Sequence, residues 1–158
     1  MIALVLHLTG ALVLTAVGFG GGALMYLQKR TAWRQAHDFV RLLDYLLLAV
    51  RYRAIPCEDL LAMAAQNPAF TSLGLDGCRA FLEIPIPPPF VQALGRELQE
   101  GFADLENAPQ SQACDTLTRM ITLCRSTEQE KRNTATQARA LYPKLGACLG
   151  LMAAILFS

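Results

Sequence analysis

The sequence predicts an all-α protein, in which a helical-bundle cytoplasmic domain is flanked by an N-terminal and a C-terminal transmembrane helix. Three observations predict this fold class. No stretch of the chain alternates apolar and polar side chains as a strand would. Apolar residues instead recur at three- and four-residue steps through the middle of the chain. Both ends, residues 1–27 and 145–158, are rich in apolar residues and contain no Asp, Glu, Lys or Arg.

Residues 1–27 predict the N-terminal transmembrane helix. As a helix they rise about 40 Å, which is enough to cross a bilayer. Lys29, Arg30 and Arg34 follow at once. Because positive charge marks the cytoplasmic side, the middle of the chain is expected in the cytoplasm and both termini outside. A cleaved signal peptide carries its positive charge before the apolar run, so a retained anchor is favoured.

The cytoplasmic domain is expected to span residues 28–142 and to begin as a continuation of the membrane helix. An apolar stripe of helical period predicts the core face of this first helix, at Ala36, Phe39, Val40, Leu43, Leu46, Leu47 and Val50. Pro56 suits the first turn of a second helix, where Glu58 and Asp59 complement the positive helix end. The inward side chains of that helix are predicted to be Leu60, Leu61, Met63 and Ala64.

The region after the second helix is the hardest to predict. A third helix is expected over residues 69–83, although two glycines weaken it. Residues 84–89, Ile-Pro-Ile-Pro-Pro-Pro, predict an extended linker; a spacer is favoured over a partner-binding Pro-rich ligand. A helix resumes over residues 90–100, and residues 101–109 are expected to form an acidic corner. The side chains predicted to face inward from that helix are Val91, Leu94 and Leu98.

Residues 110–141 predict one long helix, with an early core face at Leu117, Met120, Ile121, Leu123 and Cys124. Residues 126–137 are polar nearly all round and are expected to project into water. Pro143 is predicted to be a hinge into the C-terminal transmembrane helix, residues 143–158.

Small residues four apart predict that the two membrane helices pack as an antiparallel hairpin. The residues concerned are Gly18, Gly22, Gly146, Gly150 and Ala154. The competing interpretation is that glycine is simply common in membrane helices.

Charge is distributed unevenly along the chain. Residues 28–53 hold six basic and two acidic side chains. Residues 54–108 hold two basic and eight acidic side chains, and residues 109–144 hold six basic and three acidic side chains. The basic segments would lie near anionic lipid, and the acidic middle farthest from the bilayer. That middle is either a solvated face or a docking surface for a basic partner. The predicted contact residues of this acidic tip are Glu97, Glu100, Asp104 and Glu106.

Little in the chain predicts catalysis. One of its two histidines lies inside the first apolar stretch, and the glycine run at 18–22 lacks the Lys-Ser/Thr of a phosphate loop. The five cysteines show no zinc-like spacing and are expected to be reduced thiols. No enzyme activity, catalytic residue, cofactor, metal, nucleic acid or small-molecule substrate is therefore expected.

Three parts of the chain resemble a known family. Residues 33–61, and especially 41–56 (RLLDYLLLAVRYRAIP), are similar to its first cytoplasmic helix and Pro-initiated turn. Residues 141–151, LYPKLGACLGL, resemble its entry into the last membrane helix, and Leu94-Gly95 with Gln112 resembles its Leu-Gly…Gln segment. The order of span, helical domain and span also matches. The family that these segments resemble is the stage III sporulation protein AB family. The Pro-rich region of residues 75–90 departs from the family's pattern.

The resemblance implies a component of the channel that joins mother cell and engulfed forespore during sporulation. Its cytoplasmic domain is similar to the helical domains of type II secretion and type IV pilus inner-membrane platform proteins. Such proteins perform no chemistry and couple a cytosolic secretion ATPase to other membrane subunits, with a homo-oligomer as one arrangement. The implied location is the outer forespore membrane, facing the mother-cell cytoplasm.

Three alternatives stay open on the sequence. The main one is a scaffold or adaptor of another type II secretion or type IV pilus-like machine. A small channel subunit would need a row of polar residues on one face of a membrane helix. The first apolar stretch offers few polar side chains beyond His7, Thr9 and Thr15. A membrane-bound enzyme lacks a catalytic constellation.

Overall fold

The computed structural model describes residues 2–52 and 55–156. Within these ranges, the side chains outside the described set are those of residues 2–12, 14, 15, 18, 19, 143, 150 and 153–156. The described residues form four α-helices and two 3₁₀ helices, without a strand. The prediction of an all-α fold is confirmed.

Two long helices and two shorter ones make up the chain: α1 (Ile2–Tyr52), α2 (Cys57–Ala65), α3 (Pro88–Asn107) and α4 (Gln110–Leu156). The 3₁₀ helices, Pro68–Leu73 and Phe81–Glu83, lie between α2 and α3. The chain divides into two compact units. The central unit is Ala32–Lys131, and the terminal unit combines Met1–Thr31 with Arg132–Ser158.

The hydrophobic core of the central unit confirms most of the predicted α1 stripe. Five stripe residues are buried, namely Ala36, Phe39, Val40, Leu43 and Leu46. Leu47 and Val50 are only partly buried against this core. Leu42, which the stripe omits, is fully buried because α1 is covered on a wide arc by α2, α3 and α4 residues of the same cluster.

Polar contacts within the central unit show that α1 and α4 run antiparallel. His37 Nδ1 lies 2.8 Å from Glu128 Oε1. Farther along α1, Asp44 accepts from Arg125 at 3.2 Å. At the end of α1, Gln110 Nε2 donates to the carbonyl oxygen of Val50 at 2.8 Å and to that of Arg51 at 3.1 Å. These last bonds satisfy carbonyls that a helix C-terminus leaves without an intrahelical partner.

The predicted third helix over residues 69–83 is wrong. The chain there forms the two short 3₁₀ helices, separated by a turn. Gly74 has φ 65° and Gly77 has φ 85°. A helix cannot pass through residues in this left-handed region, and glycine adopts it without the steric cost of a Cβ.

The predicted boundaries of the next helix are also wrong. α3 begins at Pro88, inside the expected linker, because proline is favoured in the first helical turn. It continues through the expected acidic corner to Asn107. Residues 84–87 are thus the extended part, and Ala108 ends α3 with an extended backbone.

Two expectations about individual side chains fail on these helices. Val91 is 54% exposed, whereas the preceding Phe90 is fully buried. Met63 on α2 is also exposed, at 43%. The other two residues predicted to face inward from α3 do so, because Leu98 is fully buried and Leu94 packs partly buried against the core.

Helix α4 is longer and less solvated than predicted. It passes through Pro143 and ends at Leu156, so Pro143 does not end the helix. The polar stretch 126–137 is not uniformly exposed. Thr127 is buried, and Glu128 reaches His37 on α1. Part of this polar segment is therefore packed inward and is not solvated.

The terminal unit contains the ranges predicted to enter the membrane. Gly146 is buried and Gly22 half-buried in it, while the side-chain positions Gly18, Gly150 and Ala154 lie outside the described set. Its described cations are all exposed: Lys29, Arg30, Arg132, Arg139 and Lys144. Within the described residues, no helix has an apolar stretch long enough to cross a membrane.

Candidate functional site

The predicted acidic tip lies on α3, which brings three of its four residues to one face. Glu97, Glu100 and Asp104 are separated by three and four positions and are all exposed. At about 100° per residue they share one side of the helix. We call these three residues the acidic face. Glu106 lies about 180° from Glu97 around α3, so it does not belong to this face.

Glu106 is placed against the 3₁₀ helix that precedes α3. Its Oε1 accepts a bond of 3.5 Å from the backbone N–H of Leu82. α3 and the Phe81–Glu83 3₁₀ helix pack against each other in the central unit. The sequence analysis grouped Glu106 with the acidic tip because it is close to the other three residues along the chain. The helical rotation of α3 places it on the other side of the helix.

The acidic face carries one cation of its own. Arg96 Nε lies 3.0 Å from Glu100 Oε1, in a pair whose side chains are 90% and 61% exposed. Ion pairs this exposed contribute only about 0.3–0.5 kcal/mol on a helix. A basic partner can therefore displace Arg96 at little cost, and the face offers three carboxylates for contact.

The sequence did not predict a groove on the far side of α3. It has a volume of about 360 Å³ and is lined by the end of the 3₁₀ helix, the linker and α3. We call it the proline groove and define it by Leu82, Glu83, Pro85, Ile86, Val91 and Gly95. The sequence signals near it were Val91, whose apolar side chain was assigned to the core, and the Pro-rich residues 84–89, which were interpreted as a spacer.

The neighbouring residues His37 and Asp38 point in different directions. His37 contacts Glu128, and its ring stacks on that of Trp33 with centroids 5.8 Å apart. Asp38 instead accepts a hydrogen bond of 2.8 Å from Ser72 Oγ. The two side chains thus join α1 to different elements and do not form a His–Asp pair.

Two thiols of the central unit, Cys57 and Cys124, are held in the protonated form. Burial raises the pKa of Cys124 to about 12. Burial is also the main cause that raises the pKa of Cys57 to about 11, with smaller contributions from Glu106 and Glu83. A protonated thiol is a poor nucleophile and a poor metal ligand. All five cysteines are free.

Metal-binding side chains do not converge in the described part of the chain, where no three His, Cys, Asp or Glu residues are grouped to hold an ion. What the described geometry offers is surface rather than an enclosed site, in the form of the acidic face and the proline groove. No protein-family model, curated protein or solved structure matches this chain.

Proposed function

We propose that this chain is a non-enzymatic membrane platform component of the sporulation channel between mother cell and forespore. It would couple a cytosolic secretion ATPase to the membrane subunits of the complex, and sporulation would require it. The proposal rests on the family resemblance of residues 41–56 and 141–151. The all-α architecture is compatible with the helical domain that this resemblance implies.

The proposed anchoring uses both ends of the chain. Residues 1–27 and 145–158 contain no charged side chain, and exposed cations follow the first range and precede the second. With both ends spanning the bilayer, the central unit would face the mother-cell cytoplasm and the termini would lie outside. A domain held at two points can resist or transmit force from a motor.

The observation that carries the coupling role is the acidic face. Glu97, Glu100 and Asp104 project from a helix whose opposite residues, including Leu98 and Phe102, are buried in the core. A core-backed helix holds its charges in fixed positions, which favours electrostatic recognition of a basic surface. We propose that this face meets the ATPase.

Binding between the full chain in detergent and the secretion-type ATPase of the same organism tests the coupling role. Salt is titrated from low to physiological concentration, with wild type compared against a Glu100→Lys/Asp104→Lys variant. We expect the variant to bind at least about tenfold more weakly at low salt and to lose most of the salt dependence. Asp59→Lys combined with Glu58→Lys, on exposed positions of α2, is the control with the same change of charge. If all three proteins bind alike, the acidic face is not the contact.

A second candidate is a scaffold of another type II secretion or type IV pilus-like machine. The observation that favours it is the departure of residues 75–90 from the family's pattern. The chain there forms the 3₁₀ helix Phe81–Glu83 and a left-handed turn at Gly77. The same binding assay separates the two. Preference for an ATPase of a general secretion or pilus system over a sporulation ATPase would favour this candidate.

A further inference from the structure

We propose that the proline groove is a second docking site, which binds an apolar segment of a partner protein flanked by Lys or Arg. The proposal does not depend on the platform function, because the groove lies on the other side of α3 from the acidic face. It follows from the shape of the groove, its exposed apolar lining and the charge around it.

The groove has an apolar lining that the fold leaves uncovered. Leu82 is 51% exposed and Val91 is 54% exposed, although the residues that precede them, Phe81 and Phe90, are buried. Gly95 has no side chain to fill the groove on its α3 side, and a Cβ built there would lie 4.0 Å from its nearest atoms. Pro85 and Ile86 form the opposite wall. Apolar side chains gathered on one concave surface are typical of a binding site rather than of scattered surface residues.

The surroundings of the groove are acidic. Glu83 lines it directly, and the carboxylate of Glu106 contacts the backbone of Leu82 at its edge. The two basic residues of segment 76–107 are already paired, Arg79 with Glu58 at 3.6 Å and Arg96 with Glu100 at 3.0 Å. The charge complement of this surface is therefore cationic.

A protein segment fits this surface better than a small ligand does. Small-ligand sites bury roughly 70–90% of the ligand, which needs an enclosed cavity. Here Leu82 and Val91 are about half exposed, so the site is an open groove. An apolar side chain can occupy such a groove while neighbouring Lys or Arg residues reach the carboxylates at its rim.

The test uses the full chain in detergent and a fluorescein-labelled heptapeptide in which Leu alternates with Lys. Two analogues replace Lys by Glu or by Ser, and detergent without protein is the blank. Fluorescence anisotropy at low and physiological salt measures the affinity. We expect the Lys peptide to bind at least about tenfold more tightly than the Glu analogue at low salt, with the Ser analogue between them.

Variants of the groove locate the binding. Gly95→Leu fills the groove without changing charge, and we expect it to weaken the Lys peptide about tenfold or more. Glu83→Gln should weaken it about two- to fivefold, as a rim charge does. Ala93→Leu adds the same side chain at an exposed position on the opposite side of α3, and should have no effect.

Val91→Ser is a second groove variant that adds no volume, and circular dichroism verifies that each protein is folded. It should weaken the Lys peptide because it removes an exposed apolar contact. The proposal is overturned if Gly95→Leu and Val91→Ser both bind the Lys peptide as wild type does. It is also overturned if the Glu analogue binds equally well, or if the Lys peptide gives no binding above the blank.

Discussion

Gly101 on α3 and Met120 on α4 are packed so closely that no side chain fits between them. A Cβ built on Gly101 would lie 2.7 Å from Met120 Sδ and 3.1 Å from its Cγ. Both residues are buried. This contact explains why a glycine occurs in the middle of α3, where it costs about 1 kcal/mol in helix propensity relative to alanine.

Gly101→Ala should lower the free energy of unfolding by up to about 2 kcal/mol. Overpacking against Met120 costs about 1–3 kcal/mol, and the gain in helix propensity offsets about 1 kcal/mol of that cost. In a Met120→Ala background the same substitution should be neutral or stabilising, because the obstructing atoms are gone. Gly95→Ala is the matched control and should stabilise, since the atoms nearest to its Cβ position lie 4.0 Å away, at ordinary contact distance. Urea unfolding followed by circular dichroism measures all four proteins. Equal effects at Gly101 in both backgrounds would refute the packing explanation.

Phe90→Ala should destabilise the central unit by about 3–5 kcal/mol, the usual cost of removing a buried phenylalanine. Phe90 is fully buried, and its ring lies 5.3 Å from that of Phe39. Val91→Ala, one position away, should change stability by less than about 0.5 kcal/mol because Val91 is exposed. Chemical denaturation monitored through Trp33, the single tryptophan, compares the two. A larger loss for Val91→Ala than for Phe90→Ala would contradict the described orientation of α3.

The two polar side-chain contacts between α1 and α4 should differ in strength. The His37 and Glu128 side chains are 44% and 19% exposed, whereas Asp44 and Arg125 are 39% and 62% exposed. Double-mutant cycles with alanine should give a coupling of about 1 kcal/mol or more for the first pair and below about 0.5 kcal/mol for the second. The reverse order would show that exposure does not control these contacts.

Thiol alkylation should separate the cysteines by environment. Only the thiolate reacts, and burial raises the pKa of Cys124 to about 12 and of Cys57 to about 11. Between pH 7 and pH 9 the pH is below the pKa of both thiols, so the thiolate fraction rises about tenfold per pH unit. The alkylation rates of both cysteines should therefore rise about tenfold per pH unit without a plateau. Peptide mapping after timed iodoacetamide treatment follows each site, and the denatured protein is the control. Rapid labelling of native Cys124 at pH 7 would contradict its buried position.

Packing in the terminal unit can be tested on its glycines. Gly146 is buried, so Gly146→Leu should lower the thermal stability of the full chain in detergent. Gly20→Leu is the control, because nothing lies within 4 Å of a Cβ at Gly20. Gly150→Leu should resemble Gly146→Leu if the predicted hairpin face is right. No loss of stability in either variant would remove that hypothesis.

The periodic parts of the sequence predicted their structure well. The α1 stripe from Ala36 to Leu46 and the early α4 face at Leu117, Met120 and Cys124 are buried. Both stretches repeat apolar residues over several turns, so one misplaced residue does not change the face that the pattern indicates. Among the acidic residues, the spacing of Glu97, Glu100 and Asp104 was sufficient to place them together once the helix was known.

The sequence by itself determined the helical class, the continuous first helix and the core faces of α1 and α4, because helical periodicity is local information. Tertiary structure decided the rest. From the sequence, Gly101 is expected to end a helix, whereas in the structure it lies inside α3 and packs against Met120. Glu128 is expected to be solvated, whereas in the structure it contacts His37. The positions of the Glu106 and Val91 side chains likewise depend on which side of α3 faces the core. These features arise from contacts between residues far apart in the chain. A local sequence pattern does not determine which distant side chain will pack against a given residue.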